Sequence, residues 1–271
     1  MNKKITFFNK TKEVSTNLSN NYINKRIPLI DEIRGLSVLF MIIFHTIYQS
    51  VFVFSLSESI LDHPFIDLIQ FIPQLLFISI AGVSCVFSKN NFKRGLLCLL
   101  YGTIITLVTY LFVPSDLIIL GILHFLGLAI LLQLFLIKFL KKIKPLLGGS
   151  TCLILFIVLY QYIVIDNQAI LHFITNSSFL MNIYDNGWLT LLGFPSPTFH
   201  SSDFFSLLPW FFLFLTGYFI GELIKPYSQK EFFTKSRSRF LVFLGQYSLI
   251  IYMLHIPILL LILYGIKWIS I

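Results

Sequence analysis

The sequence predicts an all-α membrane protein, a polytopic bundle of about seven transmembrane helices. Of its 271 residues, 56% are hydrophobic and only 12% are charged, and the mean hydropathy is +0.85. The apolar residues form long continuous runs, not the alternating pattern of a membrane β-barrel. Because lipid cannot satisfy backbone polar groups, such runs cross the bilayer as helices.

Seven runs approach the roughly 20 residues that a helix needs to cross the hydrocarbon core. They are predicted near residues 29–53, 66–88, 95–113, 117–138, 150–165, 207–224 and 241–266. The polar segment before them, residues 1–26, is predicted to be a cytoplasmic tail, and residues 27–271 to form a single transmembrane domain.

The basic residues predict the orientation of these spans. Of the 20 Lys and Arg residues, 19 lie in the N-terminal segment or in the second, fourth and sixth connections, and only Lys267 lies elsewhere. Since cytoplasmic loops carry an excess of basic residues, the N-terminus is predicted to be cytoplasmic and the C-terminus extracytoplasmic. The net charge of +8 therefore reflects membrane topology, and no nucleic-acid partner is expected.

The fifth connection, residues 166–206, is the only long one, and it faces outward without a Lys or Arg. Its Trp188, Phe194 and Phe199 favour packing or membrane-surface contact over disorder. Asp203 lies near its end, where a solvated carboxylate is the simpler expectation. Trp210, at the start of the sixth span, is typical of an interfacial belt.

Ionisable side chains inside membrane spans are costly, so each one is a functional candidate. The first span combines Asp31 and Arg34, at a spacing that allows an ion pair on one helix face, with His45 eleven residues further on. Eleven steps return almost to the same face, and they separate Arg34 from His45 by about 16 Å. The two side chains therefore cannot touch, and the stripe could hold two parts of a long substrate.

Two further spans carry histidines. Ser248, Tyr252 and His255 share one face of the last span, which could close on the stripe of the first. His124 lies between Gly121 and Gly127, where another helix can approach closely. Helix-to-helix hydrogen bonding explains these residues about as well as function does.

The other three histidines and the cysteines give no strong indication of function. His63, His172 and His200 fall in outward connections, where a solvated histidine is the simpler interpretation. The three cysteines lie inside apolar runs and form neither a disulfide framework nor a zinc pattern, so no metal site is expected.

The order of these segments resembles the transmembrane acyltransferase superfamily. The segment Pro28–Leu36 followed by His45 is similar to its D-x-x-R-G start and R-x10-H spacing. The catalytic domain of heparan-α-glucosaminide N-acetyltransferase and its small prokaryotic relatives is similar in three further segments: Gly121–His124, Leu207–Trp210 with Gly217, and Ser248–Pro257. The resemblance runs from about residue 27 to 258, although larger superfamily members have ten or more spans.

The resemblance implies transfer of an acetyl group from cytoplasmic acetyl-CoA to an amine or hydroxyl of an extracytoplasmic sugar. It implies that Arg34, held by Asp31, binds acetyl-CoA, and that His45 is the base or the transient acyl carrier. Tyr252 and His255 would orient or protonate the reacting groups. His124 and His63 are further catalytic candidates, and Asp203 and Trp210 would lie on the acceptor side. His63 is included because the histidine implicated in the animal enzyme lies near the first outward loop.

The same resemblance implies acetyl-CoA as a co-substrate, no tightly bound cofactor, a carbohydrate acceptor and a location in the plasma membrane; a homodimer is compatible with it. Two other classes stay open. A polytopic transporter of a small or lipid-linked substrate would use the polar stripe as a path, although no matching pair of interrupted spans supports one. A membrane b-type cytochrome would use two of the deep histidines as axial ligands.

Overall fold

A computed structural model of the chain describes residues 27–269. The described part contains eleven α-helices and no strand, and seven of the helices are long and apolar enough to cross a membrane. This confirms the predicted all-α polytopic class and the predicted number of spans. The seven are α1 Pro28–Val53, α2 Pro64–Phe87, α3 Asn91–Phe112, α4 Ile122–Leu140, α5 Pro145–Tyr160, α8 Leu207–Ile224 and α11 Ser248–Ile269.

Four shorter helices complete the fold: α6 Gln168–Thr175, α7 Ser178–Asp185, α9 Glu231–Thr234 and α10 Arg239–Gln246. The predicted tail, residues 1–26, lies outside the described residues. Between α5 and α8, a small core of Ile163, Ile174 and Phe194 holds the long connection together, so Phe194 packs as predicted. Phe199 packs against Phe204. Trp188 remains 77% exposed.

The centre of the bundle is α8, whose Phe214, Tyr218 and Phe219 are almost fully buried. It packs against α2 and α5. A Cβ at Gly82 of α2 or at Gly217 of α8 would collide with the backbone of the other helix, so these glycines let the two helices approach to backbone contact.

The predicted seventh span, 241–266, is wrong at its start. Residues 239–246 form the separate helix α10, and the membrane helix begins at Ser248. The reason is close packing, because Gly245 of α10 lies on the backbone of Asp31 and Gly35 of α1 lies on the backbone of Leu241. Glu32 adds polar contacts, because its carboxylate accepts hydrogen bonds from the backbone amides of Arg237 and Ser238.

Three other predicted boundaries move. The third and fifth spans begin earlier than predicted, since the Asn90 side chain caps α3 and Pro145 supplies the fixed φ that suits the first turn of α5. The fourth span begins later, at Ile122. Residues 117–120 instead form an irregular segment beside 202–205, with the amides of Ser202 and Phe205 donating to the carbonyls of Leu117 and Leu120.

The two ends of the bundle differ in charge. We call the end that carries the start of α1 and the connections 88–90, 141–144 and 225–238 the basic end. The opposite end, with connections 54–63, 113–121 and 161–206, is the acidic end. The first and last spans run parallel between them, because the Lys267 ammonium of α11 donates to the Val53 carbonyl at the end of α1, 2.6 Å away.

Candidate active site

At the basic end, the Arg34 guanidinium joins three elements. It donates to Asp31 Oδ1 at 2.8 Å on its own helix, to Ser84 Oγ of α2 at 2.6 Å, and to the Gly245 carbonyl of α10 at 3.4 Å. The predicted pairing of Asp31 with Arg34 is therefore present. With its side chain 20% exposed, Arg34 is held in place yet still open to a ligand.

A cavity of about 1240 Å³ opens beside Arg34. Its polar wall carries four cations and one carboxylate, and its deeper wall is apolar. The charged residues are Arg34, Lys89, Arg94, Lys225 and Asp31; the apolar wall includes Phe77, Ala81, Leu123, Leu126 and Ile130. We call this space the basic cavity. The sequence patterns explained Lys89, Arg94 and Lys225 by membrane topology alone. The packing of six helices and two connections brings them around one space.

His45 and His255 lie against each other, with ring centroids 4.8 Å apart and the rings nearly perpendicular. The polar face of the last span thus closes on the stripe of the first. His45 Nδ1 lies 2.9 Å from the Met41 carbonyl, and His255 Nδ1 lies 2.6 Å from the Tyr252 carbonyl. A carbonyl oxygen only accepts, so each Nδ1 carries the proton and each Nε2 keeps its lone pair as a base or nucleophile.

Asp203 extends this group toward the acidic end. The Tyr252 hydroxyl donates to Asp203 Oδ2 at 2.9 Å, and the Ile122 amide donates to the same oxygen at 3.4 Å. The solvated carboxylate expected from the sequence is therefore wrong. Burial raises the pKa of Asp203 to about 6, and the two hydrogen bonds limit the rise.

A second cavity, of about 810 Å³, opens at the acidic end, and we call it the acidic cavity. Asp203 and Asp67 line it together with amide and aromatic side chains: Gln70, Gln74, Asn167, Phe71, Tyr160, Phe204, Phe205 and Trp210. Trp210 is only 5% exposed and packs among Phe71, Phe156 and Tyr160. It is part of the cavity wall and not of a lipid-facing belt.

The hydrogen bond between Tyr252 and Asp203 joins segments that line the two cavities. Asp203 lines the acidic cavity and accepts a hydrogen bond from the Ile122 amide. The next residue, Leu123, lines the basic cavity. Ser248 and Leu249, one turn before Tyr252, also line the basic cavity. The histidine pair adjoins this contact through Tyr252, whose ring centroid is 5.6 Å from that of His255.

Residues 26–257 match the family model described as heparan-alpha-glucosaminide N-acetyltransferase, catalytic. The chain belongs to this family. No curated protein and no solved structure matches it. The matched segment contains Arg34, both members of the histidine pair, Tyr252 and Asp203, so the whole arrangement described above lies within the family domain.

Membership in the heparan-α-glucosaminide N-acetyltransferase family indicates a membrane acetyltransferase. The seven apolar helices make it an integral membrane protein. Between the classes that the sequence left open, the family match favours an acyltransferase over a transporter.

The geometry also bears on the cytochrome alternative. Axial haem ligands lie on opposite faces of a porphyrin, whereas the rings of His45 and His255 contact each other directly. Among residues 27–269, no group of three or more His, Cys, Asp and Glu side chains is placed to hold a metal ion.

His124 and His63 lie apart from the histidine pair. The His124 ring packs against Gly102 of α3, and within residues 27–269 no ring contact joins it to His45 or His255. His63 is exposed and caps α2, where its Nδ1 accepts from the Phe65 amide at 3.2 Å. Helix packing accounts for His124 and helix capping for His63, and a catalytic role for either stays a prediction.

Proposed function

We propose that this protein transfers the acetyl group of cytoplasmic acetyl-CoA to an amine or hydroxyl of a sugar on the other side of the plasma membrane. The observation that carries the proposal is the pair of His45 and His255, each with Nδ1 held by a carbonyl and Nε2 left as a base. The pair adjoins the contact between a basic cavity and an acidic one. The bundle thus provides a separate space for donor and acceptor.

The basic cavity suits the donor. Coenzyme A carries several phosphate charges at one end and an uncharged thioester arm at the other, and the cavity has cations at its mouth and an apolar deeper wall. Arg34, positioned by Asp31 and Ser84, would hold the coenzyme at the mouth. The positive-inside rule predicts that this cavity opens to the cytoplasm, where acetyl-CoA is made.

The acidic cavity suits the acceptor. The attacking nitrogen or oxygen would give its proton to Nε2 of His45 as it bonds to the thioester carbonyl carbon. The carbon–sulfur bond then breaks, and coenzyme A leaves as a thiolate that takes up a proton. His255 orients His45 through their edge-to-face contact, and Tyr252 is positioned by Asp203. A two-step route, with the acetyl group held transiently on His45, uses the same residues.

The test is transfer of radiolabelled acetyl from acetyl-CoA in proteoliposomes, with and without an amino-sugar acceptor. We expect Arg34→Ala to weaken acetyl-CoA binding and His45→Ala to abolish transfer while binding persists. His172→Ala, an exposed histidine at the acidic end, is the matched control and keeps wild-type activity. If the folded wild-type protein does not bind acetyl-CoA, the proposal fails.

A further inference from the structure

Among the described residues, the charged side chains that line the acidic cavity are all carboxylates. Among residues 27–269, its lining includes the carboxylates of Asp67 and Asp203 and neither Lys nor Arg. The surroundings carry the same sign. Among residues 27–269, seven acidic residues lie at this end: Glu58, Asp62, Asp67, Asp116, Asp166, Asp185 and Asp203. The one Lys that lies at this end within the same residues, Lys267, donates to the Val53 carbonyl.

Asp67 stands on a polar face that α2 presents to this cavity. Asp67, Gln70, Phe71 and Gln74 all line it, and their spacing is that of one helix face. Amide and aromatic side chains suit a sugar, because its hydroxyls pair with amides and its C–H faces pack on rings. A carboxylate in the same row adds a charge preference that hydroxyl recognition does not need.

The surroundings strengthen this preference. Aromatic walls have a lower dielectric constant than water, so charges in a partly enclosed cavity are screened less than on an open surface. An acceptor with a sulfate, phosphate or carboxylate group would meet two like charges inside the cavity, at an end of the bundle that carries five more acidic residues. A neutral or ammonium-bearing acceptor would meet no such repulsion.

We propose that the acidic cavity selects acceptors without anionic groups, and that Asp67 is a specificity-determining residue that rejects glycans bearing sulfate, phosphate or carboxylate. This inference rests on the proposed function and deepens it, because it names the class of acceptor. Asp67 binds neutral or cationic sugars at the cavity mouth and takes no part in the chemistry.

The experiment compares two glucosamine oligosaccharides of equal length, one unmodified and one carrying 6-O-sulfate, as acceptors in the acetyl-transfer assay. We expect the acceptor KM of the sulfated sugar to be at least about 10-fold higher, and this ratio to shrink at high salt. Asp67→Asn should reduce the ratio, and Asp67→Lys should reverse it.

Asp116→Lys is the matched control, because Asp116 is exposed at the same end but does not line the cavity. If both charge reversals change the ratio equally, selection comes from the general surface field and the role of Asp67 is wrong. If wild type accepts the sulfated sugar equally well, the inference is overturned while the proposed function stands. If neither sugar is acetylated although acetyl-CoA binds, the sugar acceptor of the proposed function is itself wrong.

Discussion

The basic and acidic cavities are built from similar materials and carry opposite charge. Each combines apolar or aromatic walls with a few polar groups, yet four cations surround one and two carboxylates line the other. Topology accounts for part of this difference, since basic residues accumulate on the cytoplasmic side of any membrane protein. It does not account for the convergence of several charges on each cavity, and the proposed function assigns the two cavities to two different ligands.

The hydrogen bond between Tyr252 and Asp203 joins segments that line the two cavities, and the histidine pair adjoins it. We call this contact the partition. In the proposed function, the donor and the acceptor meet beside it.

The largest effect on activity is expected from substitution of the histidines beside the two cavities. His255→Ala should lower kcat by about 100-fold, since it removes the ring that orients His45. His124→Ala should lower it by less than about 3-fold, because that ring packs against Gly102 away from the pair. Single-turnover acetyl transfer with saturating acetyl-CoA measures both values. Equal losses in the two variants would contradict the separation of His124 from the site.

An intermediate effect is expected at the mouth of the basic cavity. Lys89→Ala and Lys225→Ala should each weaken acetyl-CoA binding by about 5- to 10-fold at low salt, and less at high salt, because they remove charges facing the coenzyme phosphates. Isothermal titration calorimetry of the detergent-solubilised protein measures the change.

The matched control for these variants is Lys141→Ala. Lys141 is exposed at the same end but does not line the cavity. A loss of affinity in this control as large as in Lys89→Ala would mean that net charge, and not the cavity, attracts the coenzyme.

The smallest effect is expected from titration of Asp203 in the partition. With its pKa raised to about 6, Asp203 is ionised at neutral pH and accepts the Tyr252 hydroxyl. The acetyl-transfer kcat/KM should therefore rise by a few fold as pH increases through about 6, if the ionised form positions Tyr252. Asp203→Asn should lose this inflection.

Stability should change in the opposite direction. Because the pKa of Asp203 is raised by burial, the folded state binds the proton more tightly than the unfolded chain, so this contribution to stability is present at low pH and is lost as pH rises through about 6. Thermal unfolding at pH 5 and pH 7 should therefore show wild type losing stability relative to Asp203→Asn. The same pH response in both proteins would show that another group titrates.

Sequence alone determined the class, the number of spans and the pairing of Asp31 with Arg34. These follow from local rules: a run of about 20 apolar residues spans the core, and residues three apart on a helix are neighbours. Helical periodicity also placed Tyr252 and His255 on one face that could meet the first span. The orientation of the bundle follows from a comparably simple rule, the excess of basic residues in cytoplasmic loops, and stays a prediction.

Only the tertiary structure decided where α11 begins, that Asp203 is not solvated, and that Trp210 is part of a cavity wall. The partner of Asp203 is Tyr252, 49 residues away, and no local pattern specifies a contact across that distance. The break before Ser248 depends on the close packing of Gly245 against α1, and the basic cavity depends on the packing of six helices. Such features are set by packing among separated segments, whereas hydropathy and charge in a single window report only how each segment meets lipid or water.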